Sequence, residues 1–398
     1  MKAGSSSVTA IIRHAVTSAW RLPSGPTNTV VDVAGVRLGH ATLYDPDQGI
    51  CTGVTALHPA PDVLAAPLTA AVHVINGYGK SVGLMQIEEL GELETPILLT
   101  GVFNVARVHA ALVDWLLRAD PTLGDAPTGR SVNAVVLECN DGYMNDPRVG
   151  RIGPESVEAA LAEATAGVTG EAASGAADGT GEAASGAAGE GMAGAGATVR
   201  LGTVGAGIGM STFGYAGAIG SASRRWPLPE GGDATVGVLV LSNYGRAEDL
   251  VIAGRPMGSA EPSDGRSLAG SCIIVIATDL PLAQAQLKRV ARRAQNGIAR
   301  TGGITASGSG EVVVAFTTSR RPPLRPDRGQ DQLDLVFRAV GEAVEEAVLA
   351  GLLSASDVRG REGRSQRAFP AERLAVLAEA TSAHPPSGRR DDAGKESR

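Results

Sequence analysis

Residues 270–279 read GSCIIVIATD. The Gly270–Ser271 pair comes directly before an apolar run rich in Ile and Val, and such a run predicts a buried strand. The preceding residues, up to Gly270, are nearly all Gly, Ser, Pro, Ala and charged residues, which predicts an exposed loop. The sequence therefore places a serine hydroxyl at the point where a loop becomes a core strand.

A serine at such a junction can act as an N-terminal nucleophile. Its hydroxyl can attack the carbonyl of Gly270, which carries no side chain, in an N-to-O acyl shift. Hydrolysis of the resulting ester frees the α-amine of Ser271. Such an amine has an unperturbed pKa of about 7.7–8.0 and can serve as general base for its own hydroxyl. The same residues also fit an ordinary exit from a loop, so the pair does not decide between the two interpretations.

Polar residues accompany strand-like runs at three further places. These are ECNDGY (138–143) after the run at 134–137, SNYG (242–245) after 237–241, and SGSGE (307–311) before 312–316. Asn243 offers an amide N–H pair to an oxyanion, but Asn-Tyr-Gly is equally typical of a turn. Ser309 and Glu311 lie two apart at a strand entry, so their side chains share a face. They can orient an amine and hold its charge, or they form a turn with a solvated carboxylate.

Taken together, these segments resemble those of the DmpA-type aminopeptidases, the L-aminopeptidase/D-esterase group that includes the β-peptidyl aminopeptidases (peptidase family S58). The resemblance extends from about residue 28 to about residue 353. Its supporting segments are TVVDVAGVRLGH (29–40), CTGVTALHP (51–59), VGAGIGMSTFGYAGAIGSASR (204–224) and VGEAVEEAV (340–348).

The resemblance implies an α+β fold, a four-layer αββα sandwich of the kind shared with the ornithine acetyltransferases. It implies self-cleavage between Gly270 and Ser271 into fragments 1–270 and 271–398, with Ser271 as the catalytic nucleophile. Asn243 corresponds to the family's oxyanion donor, and Ser309 and Glu311 to the rest of its catalytic group. The resemblance also implies a homo-oligomer, a tetramer of processed heterodimers.

Substrate binding is expected at Glu138, which matches the family's carboxylate for the free amine of a substrate. Two residues on, where the family has a tyrosine, this chain has Asn140, so the second oxyanion donor stays open between Asn140 and Tyr143. The chain also departs from the family near Lys80 and near Gly101–Val102, and these changes predict a more apolar wall of the substrate pocket.

Composition excludes several other functions. The net charge is −7 with scattered basic residues, so we expect neither a nucleic-acid partner nor a membrane partner. The three cysteines have neither metal-ligand spacing nor an even number for disulfides, so no metal or other cofactor is predicted. No apolar run reaches the length of a membrane span, and the N-terminus lacks the apolar core of a signal peptide, which predicts a cytoplasmic protein.

The chain is predicted to form a single catalytic domain at 28–383, between a flexible N-terminal arm (1–27) and a disordered tail (384–398). An insertion at about 165–197 contains GEAASGAA twice, at an eleven-residue period, and has too few apolar residues to bury a core. Strands are predicted at the apolar runs named above (134–137, 237–241, 312–316 and the run that follows Ser271) and at 30–33, 72–75 and 97–99. Helices are predicted at 105–117, 282–299 and 333–353.

The predicted function is therefore a self-processing serine aminopeptidase or amidase that acts on small peptides, amides or esters. One alternative is an amide hydrolase or acyltransferase of the same fold, acting on pantetheine-like, nylon-oligomer or acetyl-ornithine-like substrates. Relatives of that kind mostly carry Thr as nucleophile, and Ser271 argues mildly against them. A non-enzymatic scaffold is disfavoured by the intact set of Ser271, Asn243, Ser309 and Glu311.

Overall fold

The structure, a computed structural model, describes residues 20–125, 129–166, 199–258, 270–324 and 330–374. Most of the predicted insertion and N-terminal arm and the whole predicted C-terminal tail lie outside the described residues. The chain divides into two units. The larger is Leu22–Phe369, and the smaller combines Met1–Arg21 with Pro370–Arg398. In the smaller unit, the structure describes a 3-10 turn at Ala371–Leu374.

Sixteen strands occur in the described residues. In chain order they are β1 (Arg37–Asp45), β2 (Ile50–His58), β3 (Leu68–Gly77), β4 (Glu92–Leu93), β5 (Ile97–Gly101), β6 (Val135–Cys139), β7 (Ser211–Thr212), β8 (Tyr215–Ala216), β9 (Ile219–Pro227), β10 (Asp233–Asn243), β11 (Val251–Ile252), β12 (Arg255–Pro256), β13 (Ser271–Thr278), β14 (Gly310–Thr317), β15 (Val358–Arg359) and β16 (Ser365–Gln366).

Six α-helices occur in the same residues. They are α1 (Leu84–Leu90), α2 (Val105–Ala119), α3 (Pro154–Ala166), α4 (Gln284–Ala291), α5 (Ala294–Arg300) and α6 (Gln330–Leu353). No helix of the described segments has the length and apolar character needed to cross a bilayer.

The larger unit has four layers, as predicted. A four-stranded sheet in the order β1-β2-β5-β6 lies against a six-stranded sheet in the order β4-β3-β14-β13-β10-β9. Helices α2 and α3 cover the outer face of the first sheet, and α4 and α6 cover the outer face of the second. The resulting αββα arrangement confirms the α+β class, because each sheet buries one face on helices and the other on its partner sheet.

The main core lies between the two sheets. Leu99 and Leu137 of the four-stranded sheet belong to the same buried cluster as Leu241, Ile273 and Val314 of the six-stranded sheet. Strand β13 is central in its sheet, antiparallel to β10 and parallel to β14. Its uniform burial explains its continuous apolar sequence, since both faces of the strand are covered.

Two predicted elements differ from the structure. Residues 30–33 were expected to form a strand, and instead Val30–Asp32 forms a 3-10 helix whose Asp32 carboxylate accepts the backbone N–H of Thr27 and of Thr29. The helix predicted at 282–299 is divided into α4 and α5 around Arg292 and Arg293. Within the predicted arm, the backbone N–H of Gly25 donates to the hydroxyl of Ser223, so this part of the arm is attached to β9.

Candidate active site

Ser271 begins β13 between two neighbouring strands. It pairs with Asn243 of β10 on one side and with Gly310 of β14 on the other, and only 5% of its surface is exposed. Its side chain shares a face with Ile273, which packs between the sheets. Cys272 points to the opposite face, where burial and, secondly, Glu311 raise the pKa of its thiol well above the usual range. The thiol therefore stays protonated, and the hydroxyl of Ser271 is the predicted nucleophile on the other face of this strand.

The Gly270 carbonyl, which precedes Ser271, accepts two hydrogen bonds. The hydroxyl of Ser271 donates to it at 2.7 Å and the backbone N–H of Gly310 at 3.1 Å. Both glycines lie too close to backbone for a side chain. A Cβ at Gly270 would lie 2.3 Å from the Asn243 carbonyl oxygen, and one at Gly310 would lie 2.7 Å from the backbone of Gly79. The continuous chain thus holds the Gly270–Ser271 peptide bond with its carbonyl polarised and the hydroxyl adjacent.

The amide of Asn243 is fixed at both ends. Its Oδ1 accepts the backbone N–H of Ser211 at 2.9 Å, and its Nδ2 donates to the backbone carbonyl of Asn140 at 2.9 Å. Because an amide nitrogen carries two hydrogens, Asn243 can keep the Asn140 contact and still donate to a second acceptor. Its pairing with Ser271 places that donor beside the nucleophile.

Ser309 and Glu311 form the predicted pair, with the Ser309 hydroxyl donating to Glu311 Oε1 at 2.8 Å. Both residues are 1% exposed. Glu311 is paired with Cys272, so its side chain lies on the face of the sheet opposite to the Ser271 hydroxyl. The pair therefore lies behind the strand that starts with Ser271, within the protein rather than at the surface of the site.

Two residues that the sequence analysis did not select support this pair. The Thr305 hydroxyl donates to Glu311 Oε2 at 2.8 Å, so both carboxylate oxygens are bonded. The side-chain amide of Asn76 donates to the carbonyls of Ser307, at 3.0 Å, and Ser309, and so holds the turn before β14. Thr305 adopts a φ of 51°, which is rare for a β-branched residue and which no sequence motif announces.

Glu138 lies near the end of β6 and is 2% exposed. Its Oε1 accepts the backbone N–H of Lys80 at 2.7 Å, whereas its Oε2 is buried and has no hydrogen-bond partner among the described residues. Burial raises the pKa of the Glu138 carboxyl, and the Lys80 N–H and charge oppose this in part. An unpaired buried oxygen costs free energy, so Oε2 has capacity for one further hydrogen-bond donor or cation.

Ser271, Asn243 and Glu138 open into one cavity of about 930 Å³. The cavity has an apolar part made by Tyr78, Val102 and Phe103, in the two regions where the sequence departs from the family. Ser309 and Glu311, although both described, do not line it. The structure thus brings the predicted nucleophile, oxyanion donor and substrate carboxylate together and places the predicted Ser–Glu pair behind them.

Asn140 and Tyr143 both line the cavity as well. The side chain of Asn140 accepts the backbone N–H of Gly142 at 2.9 Å, so its oxygen is committed to the turn. The neighbouring Asp141 is 2% exposed and accepts the Thr52 hydroxyl at 2.6 Å, and burial raises the pKa of its carboxyl to about 6. Asp141, missed in the sequence analysis, thereby attaches this loop to β2.

Comparison with known proteins agrees with this arrangement. The sequence model of peptidase family S58 matches residues 28–366. The chain belongs to peptidase family S58. A β-peptidyl aminopeptidase of Sphingosinicella xenopeptidilytica, BapA, is 32% identical over 389 residues, which cover 89% of this chain and 88% of the relative.

Solved structures show the same fold. The PH0078 protein of Pyrococcus horikoshii superimposes with a TM-score of 0.75 at 37% identity, over 91% of this chain and 96% of the other. The L-aminopeptidase D-Ala-esterase/amidase of Ochrobactrum anthropi, described as a serine aminopeptidase with a variant of the Ntn hydrolase fold, gives 0.75 at 30% identity over the same shares. The S58 chain described above is therefore a hydrolase of the aminopeptidase and amidase kind.

Proposed function

We propose that this S58 peptidase is a self-processing serine aminopeptidase that removes N-terminal residues from small peptides, amides or esters. The observation that supports it best is the shared cavity, which is lined by a polarised Gly–Ser peptide bond, the fixed amide of Asn243 and a buried carboxylate with one unbonded oxygen. The family relatives named above include a β-peptidyl aminopeptidase and an L-aminopeptidase, and this agrees with a substrate that carries a free amine.

The first step is self-cleavage. The Ser271 hydroxyl adds to the Gly270 carbonyl carbon, and the Gly310 N–H stabilises the developing oxyanion. The C–N bond then breaks and its nitrogen takes up the proton that the hydroxyl releases, which leaves an ester. Water hydrolyses this ester to a Gly270 carboxylate and a Ser271 with free hydroxyl and free amine.

The second step is turnover. The Ser271 amine accepts the hydroxyl proton as oxygen attacks the substrate carbonyl, and Ser309 and Glu311 orient the amine from behind the strand and balance its charge. The second N–H of Asn243 stabilises the oxyanion. The amine returns the proton to the leaving group, and water hydrolyses the acyl-enzyme. Glu138 binds the substrate ammonium through its open oxygen.

The two fragments are expected to stay together after cleavage. Strands β13 and β14 belong to fragment 271–398, and they lie between β10 and β3, which belong to fragment 1–270. Separation would break the ladders on both sides and expose the strip of core that contains Ile273 and Val275. The cytoplasmic location and the tetramer of processed heterodimers remain predictions.

Mass spectrometry of the intact protein and a chromogenic assay test the proposal together. We expect masses for 1–270 and 271–398 in one native species that hydrolyses aminoacyl p-nitroanilides with a free amine and leaves the N-acetylated compounds intact. If a chain that is still full length turned over substrate, Ser271 could not be an N-terminal nucleophile. Equal turnover of N-acetylated and free-amine substrates would rule out the aminopeptidase assignment.

A further inference from the structure

The cavity carries more positive charge than the proposed chemistry uses. Among its described lining residues, Lys80, Arg148 and Arg361 are cationic and only Glu138 is anionic. Lys80 belongs to the Glu138 end, because its backbone N–H bonds that carboxylate and its ammonium donates to the Tyr78 carbonyl at 2.6 Å. The two arginines have no role in binding the amine or in the reaction with Ser271.

The arginines line the same cavity as Glu138 and Ser271 and come after Glu138 in the chain. The loop after β6 first reaches Asn140, whose carbonyl holds Asn243 beside Ser271, and then continues to Arg148. Arg361 lies in the turn between β15 and β16, and its backbone N–H donates to the carbonyl of Met144 in that loop at 2.8 Å. The inference requires that a substrate whose amine is at Glu138 and whose carbonyl is at Ser271 extends its leaving portion toward the arginines, which line the same cavity.

Arg361 is partly satisfied and faces the cavity. Its side chain is 18% exposed and donates to Glu362 at 2.6 Å, but its buried Nε has no hydrogen-bond partner among the described residues. Arg148 is 77% exposed and pairs with Asp146 at 3.3 Å. Neither Asp146 nor Glu362 is among the residues that line the cavity. The planar guanidinium of Arg361 is thus the better fixed of the two donors for a carboxylate.

We propose that Arg361, assisted by Arg148, binds a carboxylate in the leaving portion of the substrate. The favoured substrates are then short peptides in which the residue after the scissile bond ends in a free carboxylate or has an acidic side chain. The cavity then selects the substrate at both ends: the Glu138 carboxylate binds its amine, and the arginines bind the carboxylate of its leaving portion. This inference rests on the proposed function, since it requires the amine at Glu138 to set the direction of the peptide.

Matched substrates test this on the processed enzyme. The aminoacyl group (Gly, L-Ala, D-Ala or β-Ala) is the one that gives the fastest p-nitroanilide hydrolysis, a reaction whose leaving group has no carboxylate. With that group fixed, kcat/KM is measured for aminoacyl-Ala and its C-terminal amide, and for aminoacyl-Asp amide and aminoacyl-Asn amide. The first pair tests a terminal carboxylate, and the second tests an acidic side chain.

For the wild-type enzyme we expect the acidic substrate of at least one pair to have a kcat/KM about tenfold higher than its neutral partner, because a hydrogen bond to a charged group contributes about this much. This quotient is the acid-to-neutral ratio. Arg361→Gln should reduce that ratio to about one. Because Arg148 is exposed, Arg148→Gln should lower the ratio by only about twofold. Arg359→Gln is the matched control, since Arg359 lies in the same hairpin, is 68% exposed and pairs with Asp47, and its ratio should equal that of wild type.

Ratios of about one in both wild-type pairs, or an unchanged ratio in Arg361→Gln, would overturn the inference. If Arg361→Gln does not fold, Arg361→Lys takes its place. Lysine keeps the positive charge but lacks the planar guanidinium that bonds a carboxylate through two N–H groups, so the ratio should still fall. Failure of the proposed function would look different, because the p-nitroanilide would then not be hydrolysed either.

Discussion

Replacing Glu138 with glutamine separates substrate binding from self-cleavage. The carboxylate is 2% exposed, one oxygen has a single neutral donor, and the other has no partner in the described structure. A substrate ammonium at about 4 Å would interact with it by about 4 kcal/mol at an effective dielectric constant near 20. Allowing for desolvation, loss of the charge should cost about 3 kcal/mol of transition-state binding, or about 150-fold in kcat/KM.

The same change should not destabilise the protein. Burial raises the pKa of Glu138, so between its unfolded and folded pKa values the folded state binds more protons, and stability falls as pH rises. Ionisation of the Glu138 carboxyl therefore opposes folding. We expect Glu138→Gln to have a Tm at pH 7 no lower than that of wild type, and to process itself at the wild-type rate.

The pH profile adds a second signature. Below the pKa of the Ser271 amine, log(kcat/KM) should fall with a slope of one, because the general base is protonated. Below the raised pKa of Glu138, the wild-type slope should steepen to two, since the amine anchor is also neutralised. Glu138→Gln should keep a slope of one.

The assay compares kcat/KM for one free-amine p-nitroanilide across the pH range, with the exposed Glu158→Gln as control (its side chain is 51% exposed and pairs with Arg118). The control should match wild type throughout. A loss below about fivefold in Glu138→Gln, with folding and processing intact, would refute the role of Glu138.

Three further results are expected. Ser271→Ala should remain one full-length species by mass and have no amidase activity, whereas Ser271→Cys should still process, because a thiol also undergoes acyl shift. Gly310→Ala places a Cβ 2.7 Å from the Gly79 backbone and 3.4 Å from the Ser271 hydroxyl, so self-cleavage on denaturing gels should slow by about tenfold or more. Gly341→Ala, whose Cβ would meet Asn296 at an ordinary contact distance of 4.0 Å, should not slow it. Light scattering should give a multiple of the protomer mass of about 40 kDa, and a single protomer at dilute native concentration would contradict the tetramer.

The central strands of the fold were predictable from the sequence. Strands β10, β13 and β14 have continuous Val- and Ile-rich runs because both of their faces are buried. Strands β1, β2 and β9 were missed, since RLGHATLYD, ICTGVTALH and IGSASRRWP mix small and polar residues with the apolar ones. Strands β1 and β9 lie at the edge of a sheet, where neighbouring elements rather than hydrophobic periodicity decide the conformation, whereas β2 lies inside its sheet.

The site was predictable where spacing along one strand determines a contact. The interval of two residues correctly placed Ser309 against Glu311. It could not show that a bulge in the β3–β14 ladder follows Glu311, or that this carboxylate lies behind the strand of Ser271. Those facts depend on register between distant strands. Arg361 was missed for the same reason, because a hairpin after α6 has no motif that connects it with the cavity.

The proposed cleavage would divide the site between fragments 1–270 and 271–398, so self-cleavage and specificity can be tested separately. In the described residues, the groups that donate to the Gly270 carbonyl come from β13 and β14, whereas the carboxylate proposed for the substrate amine comes from β6 of the other sheet. Changes at Glu138 are therefore expected to alter what the cavity binds without touching the groups proposed to cleave the chain. Arg361 is the exception, because it belongs to fragment 271–398 and yet contributes to the substrate wall. Since it approaches through the loop that follows Glu138, its effect should appear in substrate choice and leave the rate of self-cleavage unchanged.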